Sequence, residues 1–368
     1  MLEKTIARHP DARQPRLLLV ETLLRQGRHS EAVTVAARLA QETSDDPSTY
    51  AALGQAQLAA GEMSQASATF AKLVQMTPDS SSAQYALGRA LFATGELPKA
   101  RLALEKAIAL SADTLPAKLL LADALYRSNN AAAALALAQQ ATHDHPSDAS
   151  AKAALGEFYT RNGRHTEALE MQEAAFQLSP ERTSLLRYHA ALTRTGKPEQ
   201  ARRAIEKYLA LNPLDFDVRF YYAGEMMRTG EKNSAINHYE MLPADYAERA
   251  IVWNNLAWLY GATNFTKAIS YAEKAVALQP DSPSIADTLG WLWVERGEPA
   301  RAVPLLAKAW NIGRDFPSIG YHYAEALARS GQAALAVAIL RELAAAKPFD
   351  EQPAAVNLLR DLEKRQAP

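Results

Sequence analysis

One alanine returns along this chain at Ala32, Ala66, Ala100, Ala134, Ala168, Ala201, Ala235, Ala268, Ala302 and Ala336, each step being 33 or 34 residues. A chain with that beat is constrained to stack copies of one supersecondary unit, since each copy can bury its apolar face only against its neighbour. Five residues before most of these alanines stands a glycine: Gly27, Gly61, Gly95, Gly163, Gly196, Gly230, Gly297 and Gly331. Asn129 takes that place in the fourth unit, where left-handed backbone is nearly as well tolerated, and the eighth unit has Thr263 in a turn one residue shorter. Prolines keep the same spacing at Pro10, Pro78, Pro146, Pro180, Pro213, Pro280 and Pro348, so ten units fit along the chain.

Each unit reads as a pair of helices. In the fifth, residues 150–159 carry apolar side chains three and four apart, Arg161 to His165 form a turn around Gly163, and residues 166–176 repeat the helical pattern before Pro180. One buried face per helix follows from that period, and the proline blocks continuation where its missing N–H does least harm. Small residues at Gly156 and Ala168 permit close helix approach, and a leucine there overpacks the pair by about 1–3 kcal/mol.

A large residue, Leu-Gly, an aromatic, the turn glycine, alanine and a closing proline, in that order, resemble the tetratricopeptide repeat (TPR). The second unit matches through Tyr50, Leu53, Gly54, Gly61, Ala66, Phe70 and Pro78, and the third through Leu87, Gly88, Gly95, Ala100 and Ala107. The resemblance implies an all-α chain, a right-handed α-solenoid of about ten TPR helix-turn-helix repeats over residues 13–349, with a capping helix and tail at 350–368. His189 and Ala223 replace the helix glycine in repeats six and seven, so packing there is expected to be looser or adjusted. Ala355, Leu358, Leu359 and Leu362 form the apolar stripe expected of the capping helix, with Asp361, Glu363, Lys364 and Arg365 outside. Residues 1–12 fall in register as the second helix of an incomplete preceding repeat. A half-repeat cannot bury its stripe, so the expectation is that the protein continues upstream or that this end frays, and that copies can self-associate through it.

Enzyme motifs are missing: there is no phosphate-cradling glycine loop, no Gly-x-Ser-x-Gly elbow and no His-Glu-x-x-His helix. Without cysteine there is no thiol nucleophile and no Cys-ligated zinc. His143 and His145 precede Pro146 without a third ligand and read as solvated loop histidines, so no metal, cofactor or catalytic residue is nominated. Lys and Arg number 40 against 41 Asp and Glu, which leaves no overall basic footprint for nucleic acid. No apolar run is long enough to span a membrane, and the first ten residues lack a secretory signal.

Solenoids of this kind work through the concave wall of their first helices. By resemblance, the second, fifth, sixth, ninth and twelfth positions of each unit look into that groove. Repeats one to six place mainly small, aliphatic or scattered polar residues there, among them Gln55, Tyr85, Arg89 and Asp123. Repeats seven to ten place Phe220, Tyr221 and Met227, then Asn254, Asn255 and Trp258, then Asp287 and Trp291, and lastly Tyr321, His322 and Glu325. Rigid aromatic area beside orienting amides and carboxylates suits a peptide or sugar, and this is the expected binding surface for a protein or peptide partner. The other reading of Trp258 and Trp291 is that they fill gaps between neighbouring first helices. Trp253 and Tyr260 occupy the family's packing positions and read as core. Arg25, Arg127, Arg161, Arg194, Arg228 and Arg329 close their first helices, and complementing the helix dipole explains them better than steering an acidic partner.

No three consecutive repeats reproduce the two-carboxylate clamp of peptide-binding TPR proteins, and the asparagine ladder of sugar-transferring members is represented by Asn255 alone. The strings Asn254-Asn-Leu-Ala-Trp-Leu-Tyr260, Ala272-Glu-Lys-Ala-Val-Ala-Leu-Gln-Pro-Asp281, Asp287-Thr-Leu-Gly-Trp291 and Tyr321-His-Tyr-Ala-Glu-Ala-Leu327 resemble the C-terminal part of bacterial multi-TPR envelope proteins of the exopolysaccharide and PEP-CTERM (exosortase) system. That resemblance implies a non-catalytic scaffold in polysaccharide export or protein sorting, in the periplasm or at the outer membrane. The alternatives are a cytoplasmic adaptor with an unrelated client, and the recognition arm of a larger enzyme whose catalytic domain lies upstream.

Overall fold

The computed structural model describes residues 13–111, 114–246, 248–344 and 348–366, so the half-repeat expected at 1–12 lies outside the described residues. Among them there are helices and no strand, and the helices come in pairs. The first five pairs are α1 (Arg13–Arg25) and α2 (His29–Glu42), α3 (Pro47–Ala59) and α4 (Met63–Met76), α5 (Ser81–Ala93) and α6 (Leu97–Leu110), α7 (Leu115–Arg127) and α8 (Ala131–Asp144), α9 (Ala149–Arg161) and α10 (His165–Leu178). The next five are α11 (Arg182–Arg194) and α12 (Pro198–Leu211), α13 (Phe216–Arg228) and α14 (Lys232–Glu240), α15 (Arg249–Gly261) and α16 (Phe265–Leu278), α17 (Pro283–Glu295) and α18 (Pro299–Ile312), α19 (Pro317–Arg329) and α20 (Ala333–Leu343). A last helix, α21 (Gln352–Gln366), follows. The described residues form an all-α solenoid of ten hairpins, and the chain divides within α12 into two compact units, one through Ala204 and one from Ile205.

The hairpins are written into local chemistry. Asp148 caps α9 by accepting a hydrogen bond from the Ala151 N–H at 3.0 Å, and Asp215 does the same for the Val218 N–H on α13 at 3.1 Å. After α9 the chain turns at Gly163, whose φ of 73° lies in the left-handed region, and Arg164 N–H closes the helix on the Tyr159 carbonyl at 2.9 Å. Asn129 stands alone among the described non-glycine residues with positive φ, at 59°, in the turn where the repeat lacks its glycine.

Packing follows one rule in each unit. A second helix lies between the first helix of its own repeat and that of the next, as α16 does between α15 and α17. Successive first helices also touch, α5 to α7 to α9 in one unit and α15 to α17 to α19 in the other. The periodic alanines are buried, and they leave room for close approach. At Gly290 the approach is closest: a Cβ would stand 2.5 Å from Leu306 Cγ of α18. His189 and Ala223, which replace this glycine in repeats six and seven, are both buried. At the far end Ala355 and Leu362 of α21 are buried, with Leu358 and Leu359 half-buried, against a cluster containing Trp310, Leu327, Leu340 and Leu343.

One hairpin breaks the pattern. The second helix α14 has 9 residues where α16 and α18 have 14. Pro243 causes this: it stands eight residues after Ala235, whereas Pro280 stands twelve after Ala268, and the residue before a proline is driven out of helical backbone. The described residues between α14 and α15, 241–246 and 248, therefore form no regular helix.

Candidate functional site

The predicted surface residues of repeats seven to ten all belong to the second unit, on α13, α15, α17 and α19. The structure brings one group of them together. Asp287 of α17 and His322 of α19 meet across adjacent repeats, with His322 Nδ1 2.8 Å from Asp287 Oδ1 and 3.0 Å from Oδ2. Trp291, one turn after Asp287, stacks on the His322 ring with centroids 4.2 Å apart and planes inclined by 26°. Tyr321 lies beside both rings, 6.2 Å from Trp291 and 5.7 Å from His322. Burial, and then the nearby Glu325 carboxylate, push the Tyr321 phenol above its ordinary range. Glu325 itself is bound to Arg329 one turn on. The cluster is an acid, an imidazole and two aromatic rings held by contacts between two first helices, and no serine is among them.

Repeats seven and eight form a second group, most of it turned inward. Phe220 packs edge-on against Tyr239 at 5.9 Å and against Tyr246 at 5.6 Å. Asn255 donates from Nδ2 to Tyr239 Oη at 2.8 Å. Tyr221 is half-buried, and burial followed by the Glu225 charge raises its phenol. Met227 is half-buried as well. Two residues of this group remain unspent. Trp258 keeps 50% of its surface open, with Lys232 Nζ 5.1 Å from its ring. Asn254, four residues earlier and so on the same side of α15, has its side-chain oxygen buried without a hydrogen-bond partner. Of the two readings of the tryptophans, then, Trp291 is wedged against the next first helix, while Trp258 stands open.

Five of the six arginines that close the first helices, all but Arg194, are paired with acids about one turn back on their own helices: Arg25 with Glu21, Arg127 with Asp123, Arg161 with Glu157, Arg228 with Glu225 and Arg329 with Glu325. Arg161 also reaches Asp123 of the preceding repeat at 2.7 Å. The charge of these five is therefore locally balanced.

Trp253, which reads as core, does pack against the buried cluster of Ala250, Ala275 and Ile285, but it is half-buried and also lines an open concavity of about 630 Å³ together with Tyr246, Arg249, Lys274 and Leu278. Tyr260 is half-buried and joins a polar cluster, donating to Glu240 at 2.9 Å and accepting from Lys267 at 2.9 Å. The early Pro243 is the signal that marked both places. No described helix is long and apolar enough to cross a membrane.

Two family models, each described as tetratricopeptide repeat, match this chain: one at residues 51–113 and 119–182, the other at 1–58 and 294–362. Together they account for well over half of it. BBSome complex member BBS4 of Bos taurus is 27% identical over 161 residues, which is 43% of this chain and 31% of that relative. The match thus spans about a third of the curated relative's length. Among solved structures, TTC0263, a thermophilic TPR protein in Thermus thermophilus, is 26% identical over 50% of this chain and 100% of its own, with a TM-score of 0.44. The human IFIT1 dimer with m7Gppp-AAAA is 15% identical over 82% of this chain and 72% of its own, with a TM-score of 0.51.

Proposed function

Because the chain belongs to the tetratricopeptide repeat family, we propose that it is a non-catalytic scaffold that binds a protein or peptide partner along the first helices of repeats seven to ten. Trp258 carries this reading. A half-exposed indole offers large rigid area at little entropic cost. The Asp287, Trp291, Tyr321 and His322 cluster supplies a stiff, already ordered continuation of the surface, so little ordering remains to be done on binding. Phe220 and Asn255 engage Tyr239, and Tyr221 and Glu325 lie on the same first helices as the rest of this surface. The relation to a protein named as a complex member supports an assembly role.

The finer reading places the partner in the bacterial cell envelope, in exopolysaccharide export or PEP-CTERM protein sorting. It rests on the sequence strings around Trp258, at 272–281, and around Trp291 and Tyr321.

Two measurements test the proposal. Partners recovered with the wild-type chain are compared with those recovered by Trp258→Ala at equal helicity; the proposal expects loss of the same species, and unchanged recovery overturns it. In a strain deleted for the gene, unaltered polysaccharide output and protein sorting would remove the envelope reading and leave the scaffold reading standing.

A further inference from the structure

The shortening of α14 leaves something behind. Where the other second helices run on to 11 or 14 residues, the linker after Glu240 swings aside and an open concavity of about 630 Å³ remains against the start of α15 and the end of α16. Its volume falls within the range of small-molecule and side-chain pockets. Its shape is held by contacts: Tyr246 Oη donates to Asp217 at 3.0 Å, and Arg249 Nη1 donates to the Leu242 carbonyl at 3.1 Å, pinning the linker at both ends.

The chemistry of the wall is unusual for this molecule. The Arg249 guanidinium lies 3.8 Å from the centre of the Trp253 ring, and Lys274 Nζ lies 4.7 Å from the same ring. Tyr271 stacks on Trp253 at 4.9 Å and so holds the indole in position. Most described cations elsewhere in the unit, Arg228, Lys267, Arg301, Lys308, Arg314 and Arg329 among them, reach a carboxylate. Arg249 and Lys274 reach none among the described residues, although Asp245 stands on the lip of the same concavity. Arg249 Nε is in addition buried without a partner, and burial lowers the guanidinium below its ordinary range. Holding a partly desolvated cation with no counter-charge costs stability, and an incoming anion relieves that cost. Beside the two cations lie Ala277 and Leu278, which are exposed.

We infer that this concavity is a second binding site, separate from the first-helix face, that receives an acidic side chain and its apolar neighbour from an extended peptide segment of a partner protein. The carboxylate meets Arg249 and Lys274, and the apolar neighbour covers Ala277 and Leu278. The open mouth and the apolar shoulder favour a peptide over a bare inorganic anion, which would leave most of the volume unfilled.

Calorimetric titration of the full chain with acetyl-(Leu-Glu)3-amide tests this, with the glutamine counterpart of the peptide and phenylacetate as comparison ligands. The expected result is saturable binding of the glutamate peptide, at least tenfold weaker for the glutamine peptide and for phenylacetate, and weakening as salt rises. Lys274→Gln, at an exposed position, is expected to raise Kd about tenfold with an unchanged melting curve. Ala277→Trp fills the concavity, keeps both charges, and is expected to abolish binding. Trp258→Ala leaves this site intact, so failure here and failure of the first-helix surface are separable. Absence of saturable binding, equal affinity for the glutamine peptide, an unchanged Kd in Lys274→Gln, or phenylacetate binding as tightly as the peptide would each overturn the inference.

Discussion

Asp287 and His322 stand 35 residues apart in sequence and 2.8 Å apart in space, and their hydrogen bond ties the first helix of repeat nine to that of repeat ten. Their side chains are only 16% and 13% exposed, so the bond is shielded from water. The Trp291 ring lies flat against the imidazole and limits its rotation. Asp287→Ala strands a shielded imidazole N–H, and the expected cost is about 1.5–3 kcal/mol by urea unfolding. In a double-mutant cycle with His322→Ala the two losses should be less than additive by about 0.5–3 kcal/mol. Additive losses would show that the contact couples nothing.

Gly290 and Gly224 both lie in first helices, and alanine should act on them in opposite directions. At Gly290 the added methyl meets Leu306 Cγ at 2.5 Å, inside van der Waals contact, so overpacking of about 1–3 kcal/mol is expected. At Gly224 the nearest atom, Tyr239 Oη, is 3.6 Å away, and the gain in helix propensity of roughly 0.5–1 kcal/mol should show through. Thermal melts of the two variants decide the matter.

What could be read from the sequence was what repeats. The turn glycines, the alanine spine and the left-handed Asn129 each depend on residues within one unit, so a period of 33 or 34 exposes them. Pro243 was equally visible but broke the beat at a single place, and its effect on α14 becomes evident only when the helix is seen to stop at Glu240. Trp253 occupies a packing position in its own repeat, yet its exposure is set by how far the helix of the preceding repeat extends. Trp291 shows the converse: its ring is engaged by His322 of the following repeat, and that contact depends on inter-repeat register, which the pattern of one helix does not contain.

Asn129 separates backbone strain from side-chain loss. Its φ of 59° is tolerable for Asn, free for Gly and strained for a residue with an ordinary Cβ. Asn129→Gly should leave stability within a few tenths of a kcal/mol, while Asn129→Ala should cost about 1 kcal/mol. Chemical denaturation of the pair gives the comparison, and equal values for both variants would mean that the turn relaxes away from left-handed backbone.

His238 gives the fold a dependence on acid whose sign can be worked out. The imidazole is half-buried on α14, and desolvation, followed by the nearby Arg219 guanidinium, lowers its pKa below the ordinary 6.5; Glu206 opposes this more weakly. Tyr222 meets it edge-on at 5.0 Å, and Arg219 Nη1 lies 3.4 Å from Nδ1, an arrangement in which the neutral ring accepts. In the unfolded chain the same ring takes a proton near pH 6.5, so between that value and the lower folded one the unfolded state holds more protons. Stability is then fully present above about pH 6.5 and declines as the pH falls through the folded pKa. His238→Gln, which cannot be protonated there, should flatten that part of the profile while costing little at about pH 8. Melting temperatures collected at roughly half-unit steps from about pH 8 to about pH 5 provide the check, and an identical slope in wild type and variant would assign the acid sensitivity to other groups.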